Sequence, residues 1–169
     1  MLDRVIRLFK HRWLDERDAQ RAFGAAGLEH VHQRVAASER RHSGEIRVCV
    51  EAGLPWSYIA RGAQARERAI TLFGKLGVWD TEANNGVLIY LLLAERRIEI
   101  VADRGLARLV DAQRWAQINA DMAQAFRAGR FEEGMQQAID AVDALLVQHF
   151  PLQPGQTNPN ELPDRPLVR

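Results

Sequence analysis

Glu45, Asp80, Glu82, Asn84, Asn85 and Asp103, with Arg104 beside the last, are the residues of this chain best suited to chemistry. Carboxylate and amide oxygens are what hard divalent cations take. Calcium accepts roughly six to eight of them in irregular geometry, and magnesium takes fewer and keeps waters. The loop Asp80-Thr81-Glu82-Ala83-Asn84-Asn85 sets oxygens at alternating positions without the spacing of an EF-hand. A calcium or magnesium ion on these residues would polarise a phosphoryl oxygen and activate water. Arg104 would hold the phosphate or stabilise developing charge, and Asp103 would act as ligand or base. Asp103 and Arg104 are therefore the candidate catalytic residues. No Gly-rich phosphate loop, cysteine nucleophile motif or nucleophile elbow accompanies them, and nothing points to an organic cofactor. The competing reading is structural. Asp80, Thr81 and Asn84-Asn85-Gly86 would be turn chemistry, Asp103 a helix cap, and Arg104 a surface partner of Asp80 or Glu82.

These residues are far apart in sequence, so the elements between them must bring them together. Leu28, Val31, Val35 and Ser38 recur at helical spacing and predict a helix over 26–42, ended by Ser43-Gly44. Glu45–Glu51 alternates charged with apolar and predicts a strand with Ile46, Val48 and Val50 on one face. A helix follows, with Ser57 as N-cap and Ile59, Ala63, Arg66, Ile70 and Phe73 on its buried stripe. Val87–Leu93 is a continuous apolar run, as a strand buried on both faces should be. Ala94-Glu95-Arg96 turns the chain into a third strand, Arg97–Val101. Two helices complete the order. One carries the stripe Trp115, Ile118, Met122, Ala125 and Phe126 and is capped by Gly129. The other carries Phe131, Met135, Ala138, Val142 and Leu145.

That order predicts an α/β domain, a small mixed sheet of three to four strands with helices on both faces. A parallel strand–helix–strand unit followed by a hairpin places Gly44-Glu45, Asn84-Asn85-Gly86 and Asp103-Arg104-Gly105 at one edge of the sheet.

The rest of the composition excludes several classes. Of 169 residues, 47% are apolar and 27% charged, with a net charge of +1, so a core is affordable and no global field draws in nucleic acid. The single cysteine, Cys49, rules out an internal disulfide and a multi-cysteine zinc site. Of the histidines, His30 and His32 point to different helix faces, and His11, His42 and His149 share no metal spacing with them. All five read as surface or half-buried side chains.

Three parts are expected: a helical extension over 1–23, a domain over 24–150, and a tail over 151–169 with five of the six prolines. The tail should be extended, either disordered or lying over the domain. In 1–13, Leu2, Val5, Ile6, Phe9 and Trp13 form an apolar stripe among basic residues. That segment would pack on the domain itself or lie on an anionic membrane surface. No export signal or spanning segment is readable, which favours a cytoplasmic location.

At Ser43-Gly44-Glu45, Asn84-Asn85-Gly86-Val87-Leu88-Ile89, Arg97-Ile98-Glu99-Ile100-Val101 and Ala125–Gly134 the chain resembles the TPM domain family, over about residues 26–150. Asp103-Arg104-Gly105-Leu106-Ala107 departs from the family's Gly-Tyr-Gly-Leu-Glu at the same place. The chain is most similar to short, cytoplasmic bacterial members, whose proline-rich end contains Asn-Glu-Leu-Pro-Asp. The family's links to complex repair and receptor modulation imply a non-catalytic binding or accessory module. It would engage a protein partner through the Asp/Asn-rich sheet edge with help from a divalent cation. Plant members are linked to acid phosphatase activity and cation binding, which implies the alternative of a metal-dependent phosphatase at that edge.

Overall fold

The computed structural model describes residues 7–8 and 11–169. A four-stranded mixed sheet organises the molecule, in the order β3-β2-β1-β4. Strand β1 is Glu45–Glu51, β2 Gly86–Leu92, β3 Arg97–Ala102 and β4 Leu167–Val168. β1 runs parallel to β2, with Glu45 opposite Gly86 and Glu51 opposite Leu92. β2 and β3 form the expected hairpin through a 3₁₀ turn at Leu93–Glu95, with Arg96 left-handed at φ 48°.

Period-two alternation splits the strand residues between two cores. Ile46, Val48, Val50, Val87, Ile89 and Leu91 face one side, where α1 (Glu16–Ser38), α5 (Ala112–Arg127) and α6 (Phe131–His149) cover them. Cys49, Leu88, Tyr90 and Leu92 face the other, under α3 (Ala65–Lys75) and Leu162 of the tail. Two short helices complete the set: α2, Trp56–Ala60, and α4, Arg104–Ala107. The stripes expected on α5 and α6 are buried, with Trp115 and Phe131 half-buried at their ends.

Several expectations are corrected. The first helix spans Glu16–Ser38 rather than 26–42, because Asp15 and Asp18 build a capping box and the chain kinks at Gly24 (φ 70°) without ending. Ala19 and Phe23 belong to the core, so the packed domain reaches back across the expected boundary at 23. The next helix is split by Gly62 (φ 73°), and Pro55 rather than Ser57 stands at the N-cap. Its buried face is Ala65, Arg68, Ala69 and Leu72, leaving Ile70 53% exposed. His11 and His42 are fully buried as side chains.

The tail lies over the domain as part of the fold. β4 pairs parallel with β1, Cys49 opposite Leu167. Asn158 Nδ2 donates to the carbonyls of His42 and Gly44, and Arg47 donates to those of Pro163 and Arg165. Prolines cannot donate but their carbonyls accept, so a proline-rich chain can still be held by side chains. Of the amphipathic segment 1–13, Leu2, Val5, Ile6 and Phe9 lie outside the described residues. Arg7 binds Glu95 at 2.8 Å, and His11 takes the Leu54 N–H and meets Glu95 at 3.1 Å, so this part is docked on the domain. Trp13, also on the expected stripe, is 81% exposed. No helix among the described residues is long and apolar enough to cross a membrane.

Candidate functional site

The three expected segments do meet at one sheet edge. The Asp103 N–H donates to the Gly86 carbonyl and the Gly105 N–H to that of Asn84, both at 2.8 Å. A Cβ on Gly86 would collide with the Val78 carbonyl, and one on Gly105 with that of Asn84, so glycine is required for this close approach.

The side chains on this edge are largely committed to the backbone. Asp103 Oδ1 caps α4 by accepting the Arg104 N–H at 2.6 Å. Arg104 Nε donates to Asn84 Oδ1 at 2.9 Å, so its partner is Asn84, not Asp80 or Glu82. Glu45 Oε2 accepts the Leu162 N–H at 3.0 Å. Asn85 Nδ2 reaches Ser43 at 3.4 Å. Asp80 and Glu82 are exposed, and the Glu82 N–H donates to the carboxylate of Glu161.

Three buried oxygens remain unpartnered: Glu45 Oε1, Asn85 Oδ1 and Asp103 Oδ2. Sheet geometry keeps them apart. Glu45 and Asp103 flank Gly86 from opposite sides on one face, two strand spacings or roughly 10 Å apart, with Val78 seated over Gly86 between them. Asn85, one residue from Gly86, projects to the other face. Among the described residues no three His, Cys, Asp or Glu side chains share one cation position. The backbone thus assembles the expected edge, but its orphan oxygens do not fit a single ion.

Two polar clusters lie outside the expected set. Ser38 Oγ stands 2.8 Å from His42 Nε2 and 2.9 Å from Asp143 Oδ1, while His42 Nδ1 meets the Gly44 carbonyl at 3.1 Å. The residue types are those of a catalytic triad, but the serine sits between the other two and all three are buried. This trio ties the end of α1 to α6. Burial holds the His42 imidazole down to about 4 and therefore neutral at physiological pH.

Glu39 forms the second cluster. Its Oε1 accepts the Ile46 N–H at 2.8 Å, and its carboxyl also lies against the Asp164 side chain. Burial, with Glu45 and Asp164 nearby, pushes its pKa up from 4.5 to about 9. Folded Glu39 therefore keeps a proton that the unfolded chain loses above pH 4.5. Its contribution to stability is complete below that pH and is lost as pH rises towards 9. Glu39→Gln should flatten this alkaline decline, whose limiting slope for one proton is about 1.4 kcal/mol per pH unit. Urea melts from pH 5 to 9 would measure it. An unchanged pH profile in the variant would contradict the assignment.

The open edge of the sheet is β3. Because Asp103 bonds towards β2, alternation turns the N–H and C=O groups of Ile98, Ile100 and Ala102 outward. Of these, the Ile100 carbonyl accepts from Arg66 Nη1, and the others have no partner among the described residues. The edge lines a cavity of about 490 Å³ between α3 and α5, walled by Ala107, Val110, Trp115 and Ala116. Arg66 and Arg97 both pair with Glu99 at its end. Sequence reading missed this groove. The signal available was the short hairpin return with no following strand to cover it.

The match to known families is consistent with this architecture. The TPM domain model matches residues 17–145, and the chain belongs to the TPM domain family. Its fold is similar to the NMR structure of the BA42 protein from the psychrophilic bacterium Bizionia argentinensis. That likeness has a TM-score of 0.73 and 25% identity, and covers 85% of this chain and 93% of the other. It is also similar to the solution structure of the N-terminal domain of a P. gingivalis protein, with a TM-score of 0.61 and 25% identity, covering 77% and 82%. No curated protein matches the sequence.

Proposed function

We propose that this TPM domain is a non-catalytic binding module whose partner is an extended, acidic polypeptide segment docked along the outer edge of β3. The observation that carries the reading is the row of outward backbone groups on Ile98, Ile100 and Ala102, the last two lining a groove whose walls combine Ala107, Val110, Trp115 and Ala116 with Arg66, Glu99 and Asn119. A strand edge of this kind is a template for another chain, with main-chain bonds giving affinity and pockets giving selectivity. Charge favours an acidic partner. Arg66 lines the groove and shares Glu99 with Arg97, and Arg96, Arg108 and Arg114 are exposed and adjoin the hairpin turn and the wall residues Ala107 and Trp115 in sequence, whereas Asp103 and Asp111 cap helices. The Arg66 guanidinium protects the edge in the free protein and is placed to exchange its Ile100 carbonyl for a partner's carboxylate.

A metal-dependent phosphatase at Asp80–Asn85 and Asp103-Arg104 is the second reading. The unpartnered Asp103 Oδ2 beside an exposed Arg104 favours it. Hydrolysis of p-nitrophenyl phosphate with calcium or magnesium separates the two. The binding module gives no metal-dependent turnover. Turnover that disappears in Asp103→Ala would replace it with the enzyme.

A further inference from the structure

We propose that the acidic segment also carries a large apolar side chain, leucine or an aromatic, which docks on Ile70 and Trp79 towards the Ala102 end of β3. The proposal rests on β3 accepting that segment, and adds where the segment continues and what anchors it.

Helical spacing sets the side of α3 that borders the groove. Ala65, Arg68, Ala69 and Leu72 are buried against the sheet. Arg66, Ile70 and Phe73 recur at i, i+4 and i+7, so they share one flank of the helix. Arg66 lines the groove and donates to the Ile100 carbonyl, so this flank is turned to the outer edge of β3. α3 joins the parallel strands β1 and β2 and runs against both, in the same sense as β3. One helical turn from Arg66 to Ile70 advances about 6 Å, or roughly two strand residues, towards Ala102.

The flank ends in an exposed apolar strip. Ile70 is 53% and Trp79 54% exposed, whereas folded chains bury most of a tryptophan. The Trp79 Nε1–H donates to the Gly74 carbonyl at 3.2 Å, which fixes the indole one turn beyond Ile70. A Cβ on Gly74 would meet open space, so the surface dips between the two side chains. Phe73, half-buried, packs on the core beside them. Val78 sits over Gly86, whose carbonyl accepts from Asp103, so Trp79 stands at the same end of the sheet as Ala102.

The occupant follows from this continuity. A strand leaving β3 at Ala102 passes along the flank that starts at Arg66. Main-chain pairing with Ile98, Ile100 and Ala102 alone is a short interface, and short interfaces take their affinity from a buried side-chain anchor. An indole held by its own N–H offers a rigid apolar face for one. Lys75 and Asp80, exposed beside Gly74 and Trp79 in sequence, carry opposite charges, so the strip favours apolar contact rather than either sign.

The test is an amide-shift titration of the full chain with three acetylated, amidated peptides. One is an alternating valine–glutamate core, and the others add Leu-Phe at its N-terminus or its C-terminus. At least one extended peptide should bind about tenfold tighter than the core or more, with added shifts at Ile70, Gly74 and the Trp79 indole. The end that carries the gain gives the direction of the segment on β3. Ile70→Ser and Trp79→Ala should each remove most of the gain and leave binding of the core unchanged. Equal affinity of all three peptides, or a gain that survives in either variant, would overturn the anchor, while shifts at Ile98, Ile100 and Ala102 would keep the β3 reading. No shifts at those three residues with the core would remove that reading and the anchor with it. Both substituted side chains are exposed, so the variants should keep the fold, which a thermal melt verifies.

Discussion

Arg68→Ala should lower stability by about 3–5 kcal/mol, the cost of leaving a buried charge without its partner. Arg68 lies on α3 and is 5% exposed. Its Nε and Nη2 donate to the two Glu51 oxygens at 2.9 and 2.5 Å, a bidentate pair, and Tyr90 donates to the same carboxylate at 2.7 Å. Pairing holds the guanidinium above its usual range, and burial with Glu51 beside it pushes the Tyr90 hydroxyl upward, so neither side chain loses its proton in the working range. With Arg68 removed, the Glu51 carboxylate keeps only the tyrosine. At roughly 2–4 °C per kcal/mol for a chain of this size, the melting temperature should fall by about 6–20 °C. Arg68→Lys should recover only part of this, because an ammonium cannot reproduce the fork. The triple variant Glu51→Leu, Arg68→Met, Tyr90→Phe should recover most of it, since replacing a whole buried network by apolar groups is often near neutral. Thermal melts of the four proteins decide the matter. A loss below 1 kcal/mol in Arg68→Ala would mean the pair is solvated.

Truncation after Phe150 is the second large effect. It removes β4, the burial of Leu162, the Asn158 clamp and the carbonyls that hold Arg47. Leu162 alone accounts for about 1.5–3 kcal/mol, and each hydrogen bond for about 0.5–1.5 kcal/mol. Freeing the tail returns conformational entropy that offsets part of this. A net loss of about 3 kcal/mol or more is expected, or about 6–12 °C in melting temperature. The truncated protein should also aggregate on heating, because the edge of β1 is then open. Chemical denaturation of the two forms measures the first, and light scattering during the melt measures the second. Identical stability would show the tail to be a passenger.

Much of the fold was legible because strand alternation is a direct physical code. Ile46, Val48 and Val50 on one face, the apolar run of β2 and the hairpin return fixed the sheet and brought the Gly44, Gly86 and Gly105 segments together. The helix faces around α3 were misread. Ile70 and Phe73 suggested one stripe, whereas the buried one contains Arg68, and an arginine on a core face is invisible to hydropathy. Its signal lay in β1. Glu45, Arg47 and Glu51 share a face, so a strand covered on both sides must supply each with a partner. Two of those partners come from the tail, whose prolines concealed its role. At the candidate site, sequence could place the backbone of the edge. It could not show that Asn85 turns away from Glu45 and Asp103, or that Val78 fills the space between them.

The role proposed for β3 is to accept an extended acidic chain. Its most direct test is an amide-shift titration with an acetylated, amidated peptide alternating valine and glutamate. Saturable shifts are expected at Ile98, Ile100 and Ala102, weakened by salt and lost in Ala116→Glu, an exposed helix position where the new side chain blocks the groove and repels the peptide. Shifts that are absent, that fall elsewhere on the molecule, or that survive in Ala116→Glu would contradict it.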